Sequence, residues 1–149
     1  HCIVREVQMQ EKTTSQLEQE LSGCADLRQY LHTNHASMHL AQLPELLQQA
    51  LDTAGLSRAE ALRRSGLNTI YGYQIFAGKR RPSRDSLLCL CVGMALTAEK
   101  AQALLKRAGY APLYVRQRRD SIIFYALQEK LSMQTLNQQL YELGEPVLL

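Results

Sequence analysis

Residues 56–96 read LSRAEALRRSGLNTIYGYQIFAGKRRPSRDSLLCLCVGMAL, and two short helical patterns meet there at a glycine. Ser57 can cap a first helix running through Arg64, because its hydroxyl accepts from a free amide of the first turn. Gly66 supplies a position where a side chain would clash, and Asn68 can cap a second helix that Gly78 ends. The turn Ser65-Gly66-Leu67 is short, so the spacing predicts a helix-turn-helix arrangement. Lys79-Arg80-Arg81-Pro82 follows at once, and Ser83 with Ser86 opens a third helix on which Leu87, Leu88, Leu90 and Cys91 recur at helical spacing.

Charge singles out the same region. Residues 1–55 carry a net −4, residues 56–120 a net +9 and residues 121–149 a net −2, within a total of +3. Like charges gathered on one folded unit repel, so a basic middle between acidic ends points to an anionic partner, nucleic acid above all. The 149 residues suit one domain, or one domain with a helical extension, and they suffice to bury a core. There is no Trp, few Val or Ile, and abundant Leu, Ala and Gln, a composition that favours helix over sheet.

Cys2, Cys24, Cys89 and Cys91 form no CxxC pair, and Cys89 and Cys91 diverge on a predicted helix, so packing in a reducing cytoplasm is expected. No apolar run reaches the roughly 18 residues of a membrane span, and His1 to Gln10 lacks a signal-peptide core. With His1 in place of an initiator methionine, the chain is expected to begin at a processed or truncated position.

Taken in order, His1 to Lys12 has no clear period and reads as a poorly ordered arm. Ser15 followed by Glu18 makes a capping-box pattern for a helix over Gln16 to Leu21, and a second short helix is predicted over Ala25 to His32. His32, His35 and His39 have spacings that suit a metal, but no complete four-ligand set accompanies them, so no metal is expected. Pro44 is placed to begin a helix that stops at Gly55. Beyond the central stretch, Thr97 can cap a helix through Ala108, and Ala111-Pro112-Leu113-Tyr114 is a connector. Arg116 to Asp120 (RQRRD) leads into an apolar segment from Ser121 to Lys130, and Ser132 opens a last helix closed by Gly144. These two segments form a helix hairpin with too much apolar surface to stand alone. The expected division is an acidic arm at 1–42, a helix-turn-helix domain at 43–109 and a helical hairpin at 110–149 packed on it.

The central stretch resembles the phage-repressor-like (XRE) helix-turn-helix family. Leu56-Ser57, the turn glycine Gly66, the anchor Ile75, Gly78-Lys79-Arg80, Pro82-Ser83 and Leu87-Leu88-x-Leu90 match its pattern without a gap, and the resemblance spans Leu43 through Ala108. The departures are Arg58 for a usual glutamine, Leu62 for a small alanine, Gly72 for a β-branched residue and Phe76 for a frequent glutamate. The tail from Arg116 is loosely similar to an extension of some bacterial regulators. The resemblance implies an all-α, lambda-repressor-like bundle in which the helix around Asn68 to Ala77 enters the major groove of double-stranded DNA.

On that helix Gln74 suits adenine, Thr69 a hydrogen bond or a thymine methyl, and Ile70 and Tyr71 apolar contact, whereas Tyr73 is balanced between packing and contact. Arg58, Lys79, Arg80, Arg81 and Arg84 are the expected phosphate contacts. The reading is therefore a sequence-specific transcriptional regulator without cofactor, metal or membrane, with a homodimer as the arrangement on a palindromic site. The alternative is a protein-interaction adaptor of the same fold. Its acidic arm, EKTTSQLEQEL, resembles segments that bacterial Ser/Thr kinases phosphorylate, which would place phosphate on Thr13 or Thr14 at a helix start. No His-Glu metal motif, nucleophile-base pair or phosphate loop points to an enzyme. One packing expectation follows from the departures: Leu62 should lie over the Gly72 backbone where the two motif helices cross.

Overall fold

The computed structural model describes residues 12–34 and 39–149, with side chains described from Leu43 in the second stretch. Among the described residues there are nine helices and no strand, so the fold is all-α. The chain divides into two compact units, residues 1–42 and 43–149.

In the first unit, α1 (Thr14–Gly23) and α2 (Leu27–Thr33) are each started by a polar cap. The capping box is Thr13 with Gln16 rather than Ser15 with Glu18. Three consecutive hydroxyl residues compete for the cap, and the first of them has an amide side chain at the third helical position to reach back. Asp26 accepts from the Arg28 amide, so α2 begins two residues later than the sequence suggested. Tyr30 donates its hydroxyl to Leu17 O at 3.3 Å, and Asn34 donates to Glu20 at 3.0 Å. Glu20 also pairs with Lys12, and hydrogen bonds from Lys12 and Asn34 hold its carboxyl below the usual range. The expected arm falls almost wholly on residues 1–11, and His35 with the His39 side chain likewise lies outside the described residues.

The second unit holds α3 (His39–Ala54) from Leu43 onward, α4 (Arg58–Ser65), α5 (Thr69–Phe76), α6 (Arg84–Gly93), α7 (Ala98–Arg107), α8 (Arg118–Gln128) and α9 (Met133–Glu142). Pro44 stands inside α3, not at its first position: its fixed φ fits a helix and only one backbone donor is lost. Ser57, Asn68, Ser83, Thr97 and Ser132 each cap the helix that follows by accepting a backbone amide. Helix α8 starts at Arg118, ahead of Ser121, because the Ser121 hydroxyl turns back to Val115 O and Gln117 O instead of capping.

Helix α6 is the centre of this unit. All residues from Leu87 through Gly93 are buried, and α4, α7, α8 and α9 pack around it. A helix apolar on every side belongs in a core. Gly93 lets α4 come close, since a Cβ there would stand 2.7 Å from Ala61 O and 2.9 Å from Ser65 N. The hairpin α8–α9 joins the same core through Ile123, Ala126, Leu127, Leu136 and Leu140. The last residues fold back as well. Leu148 is fully buried, and its backbone N–H and C=O pair with the Asn137 side chain at 2.8 and 2.7 Å.

Candidate functional site

Helix α5 is built with one face in and one face out. Gly72, Ile75 and Phe76 are buried, whereas Thr69, Ile70 and Tyr73 are exposed and Gln74 is half-exposed. Ile70 is 72% exposed, a large apolar side chain left uncovered beside two polar ones. The helix is set by its ends. Asn68 Oδ1 accepts the Tyr71 amide at 3.0 Å, and Gly66 ends α4 with φ +76, a conformation that favours glycine. The turn is Gly66-Leu67-Asn68, one residue later than the sequence suggested.

The crossing of α4 and α5 is closed by the expected pair. A methyl built on Gly72 would overlap the Leu62 Cδ2 and stand 2.9 Å from its Cδ1 and 3.1 Å from its Cγ. Leucine volume therefore fills what glycine leaves open.

Around this face the expected cations are placed in different ways. Lys79, Arg80 and Arg81 follow α5 and are exposed. Gly78, at φ +78 and with its hydrogen toward Pro44, turns the backbone into this loop. Arg80 lies over the Tyr71 ring at 5.3 Å, and Arg81 lies over the Tyr110 ring at 4.4 Å while donating to Ala108 O. Tyr110 in turn donates its hydroxyl to Pro82 O, and its burial pushes its own pKa up. The two aromatic rings thus hold the basic loop in place. Arg58 donates through two nitrogens to Gln48 Oε1 and lies 5.4 Å over Phe76, so two of the departures from the family pattern touch one another.

Two residues are placed differently from the sequence reading. Tyr71, expected at base edges, is half-buried and donates its hydroxyl to Ser86 Oγ at 3.2 Å, which ties α5 to the first turn of α6. Arg84, expected at phosphates, spends its donors inward on Asp120, Ala111 O and Pro112 O. Its partner Asp120 is 3% exposed and also accepts the Tyr114 amide. The neighbouring pair runs the opposite way: Arg119 of α8 makes two hydrogen bonds to Asp85 of α6, at 3.0 and 3.1 Å. Two Arg-Asp dipeptides thus exchange ion pairs across the starts of α6 and α8. The sequence carries the signal, since Arg84-Asp85-Ser86-Leu87-Leu88 and Arg119-Asp120-Ser121-Ile122-Ile123 repeat one pattern.

On α4, Glu60 takes hydrogen bonds from Arg63 and Arg64, which hold its carboxyl near about 2. Cys89 and Cys91 are buried, and burial pushes both thiols up to about 12. Among the described residues no cluster of three or more His, Cys, Asp or Glu could hold a metal ion, and no helix is long and apolar enough to cross a membrane.

Comparison with protein-family models, curated proteins and solved structures gives no match.

Proposed function

We propose that this chain is a sequence-specific DNA-binding regulator with a lambda-repressor-like helix-turn-helix of the XRE type, in which α5 enters the major groove. One observation carries the reading: the exposed face Thr69, Ile70, Tyr73 and Gln74 is bordered directly by the exposed cations Lys79, Arg80 and Arg81. A groove-reading helix needs this arrangement, with groups that meet base edges in the middle and charges that meet phosphates at the border. The net +9 of residues 56–120 supplies the field that attracts the duplex. In this reading Tyr71 and Arg84 shape the site without touching DNA.

The test is a fluorescence-polarisation titration of the full chain on the duplex upstream of its own gene and on a random duplex, at several salt concentrations. Tighter binding to the first, weakening steeply with salt, is the expected result. Binding that is equal on both duplexes, or indifferent to salt, would sink the reading.

A second reading is favoured by the first unit. Leu21, Leu27 and Leu31 are exposed on its helices at 47, 58 and 45%, as an adaptor's contact residues would be. Thr13 is exposed at the start of α1, and Thr14 is the first residue of that helix, so a phosphate on Thr14 would meet free backbone amides. Failure of a cognate Ser/Thr kinase to modify the full chain at either threonine would remove the phosphorylation part of that reading.

A further inference from the structure

Between α8 and α9 a groove of about 410 Å³ is bordered by Ser121, Ile122, Tyr125, Gln139, Glu142 and Leu143. Tyr125 and Leu143 are 52 and 46% exposed beside it, and Tyr141 of α9 is 77% exposed, so the hairpin leaves large apolar side chains uncovered. Ile122 and Tyr125 of this groove are the middle of one stripe of α8 that begins at Arg118 and ends at Glu129, which caps the helix. The intervals are four, three and four residues, the spacing of a coiled-coil seam.

The order of chemistry along the stripe is basic, apolar, apolar, acidic, and it is symmetric about the midpoint of residues 123 and 124. Laid antiparallel on a second copy of itself, the stripe places Ile122 against the other Tyr125 and Arg118 against the other Glu129. A parallel arrangement would set Arg118 on Arg118 and Glu129 on Glu129. Self-complementarity under a twofold axis is what an isologous contact requires.

The two charges are also poorly placed for α8 itself. A cation at a helix start and an anion at a helix end both oppose the macrodipole. Within the chain Arg118 has one distant ion pair, 3.9 Å to Glu145, and Glu129 has no ion pair among the described residues. The helix does not account for these charges, and a second copy does. We propose that two copies of this chain pair through the α8 stripe, antiparallel about a twofold axis, with Arg118 of each copy facing Glu129 of the other. This contact does not depend on the DNA reading.

The experiment is sedimentation velocity of the full chain over a concentration series without DNA, with Arg118→Glu, Glu129→Arg, the double exchange and Tyr125→Asp. Both charge changes suit the macrodipole and lie on exposed positions, so the fold, followed by circular dichroism, should persist. The wild type should form dimers. Each single charge change should weaken dimerisation on the order of tenfold, by placing like charges together twice over. The double exchange should return it to within about threefold of wild type, and Tyr125→Asp should leave monomers. A wild type that stays monomeric, or a double exchange no better than the single ones, would overturn the proposal.

Discussion

The Leu62 side chain lies across the backbone of Gly72, so that no Cβ fits on Gly72 without displacing it. Each residue is a poor choice alone. A glycine inside a helix costs about 1 kcal/mol relative to alanine, and a large side chain at a close crossing invites overpacking. Together they exchange volume. Gly72→Val alone should destabilise by about 1 to 3 kcal/mol through overpacking, and Leu62→Ala alone by about 2 to 5 kcal/mol through the cavity it leaves. The double variant should be more stable than the sum of the two losses implies. Urea denaturation of the four proteins checks this, and strict additivity would show that the two positions do not share the space.

DNA contacts should separate by kind. Lys79→Ala should weaken binding to every duplex alike and lower the log-log salt slope by about one unit, as loss of one phosphate contact does. Gln74→Ala should instead relax discrimination at particular base pairs, by about 1 to 3 kcal/mol for a two-hydrogen-bond contact to adenine. Competition titrations with singly substituted duplexes read both effects. Equal loss on all duplexes for Gln74→Ala would remove Gln74 from the reading face.

Cys89 and Cys91 should behave as core residues. Their thiols are pushed up to about 12 by burial, so almost no thiolate is present at mildly alkaline pH. Cys24 is half-exposed and open to a reagent. Iodoacetamide treatment of the native chain followed by peptide mass spectrometry should therefore label Cys24 and spare Cys89 and Cys91 until denaturant is added. Labelling of all three at equal rates under native conditions would mean that α6 opens far more readily than a buried central helix should.

Much of the second unit was legible because its signals are local. A hydroxyl or amide cap, a glycine that takes positive φ and an apolar period each act within a few residues, as Ser57, Asn68, Ser83, Thr97, Ser132 and Gly66 do. Local signals mislead where several neighbours can do the same work, as at Thr13-Thr14-Ser15, or where a residue is bound elsewhere, as Ser121 is. At the candidate site, exposure of Thr69 and Ile70 followed from helix phase. What an arginine faces did not. Arg80, Arg81 and Arg84 stand close together in sequence, yet two lie over tyrosine rings and one is held by a buried carboxylate from α8. Those partners are set by tertiary packing, which no spacing within the loop encodes.

The paired Arg-Asp dipeptides give the last prediction, because two chemically identical ion pairs differ in surroundings. Asp120 has a side chain 5% exposed and its partner Arg84 is 27% exposed, whereas Asp85 is 46% exposed opposite Arg119. Removing Arg84 leaves a carboxylate away from water with only the Tyr114 amide to satisfy it, and the guanidinium also holds the carbonyls of Ala111 and Pro112. Breaking a buried pair in this way costs about 3 to 5 kcal/mol, though partial access of water to Arg84 places the expected loss for Arg84→Ala at about 3 kcal/mol. Removing Asp85 leaves Arg119, itself 20% exposed, still donating to Pro146 O and Val147 O, so Asp85→Ala should cost about 1 to 2 kcal/mol, less than Arg84→Ala. Chemical denaturation of the two variants measures the difference. In the same proteins the salt slope of DNA binding should stay at the wild-type value for Arg84→Ala, since its guanidinium faces Asp120 and not phosphate. A lower slope with unchanged stability would reverse the assignment and return Arg84 to the DNA-contacting surface.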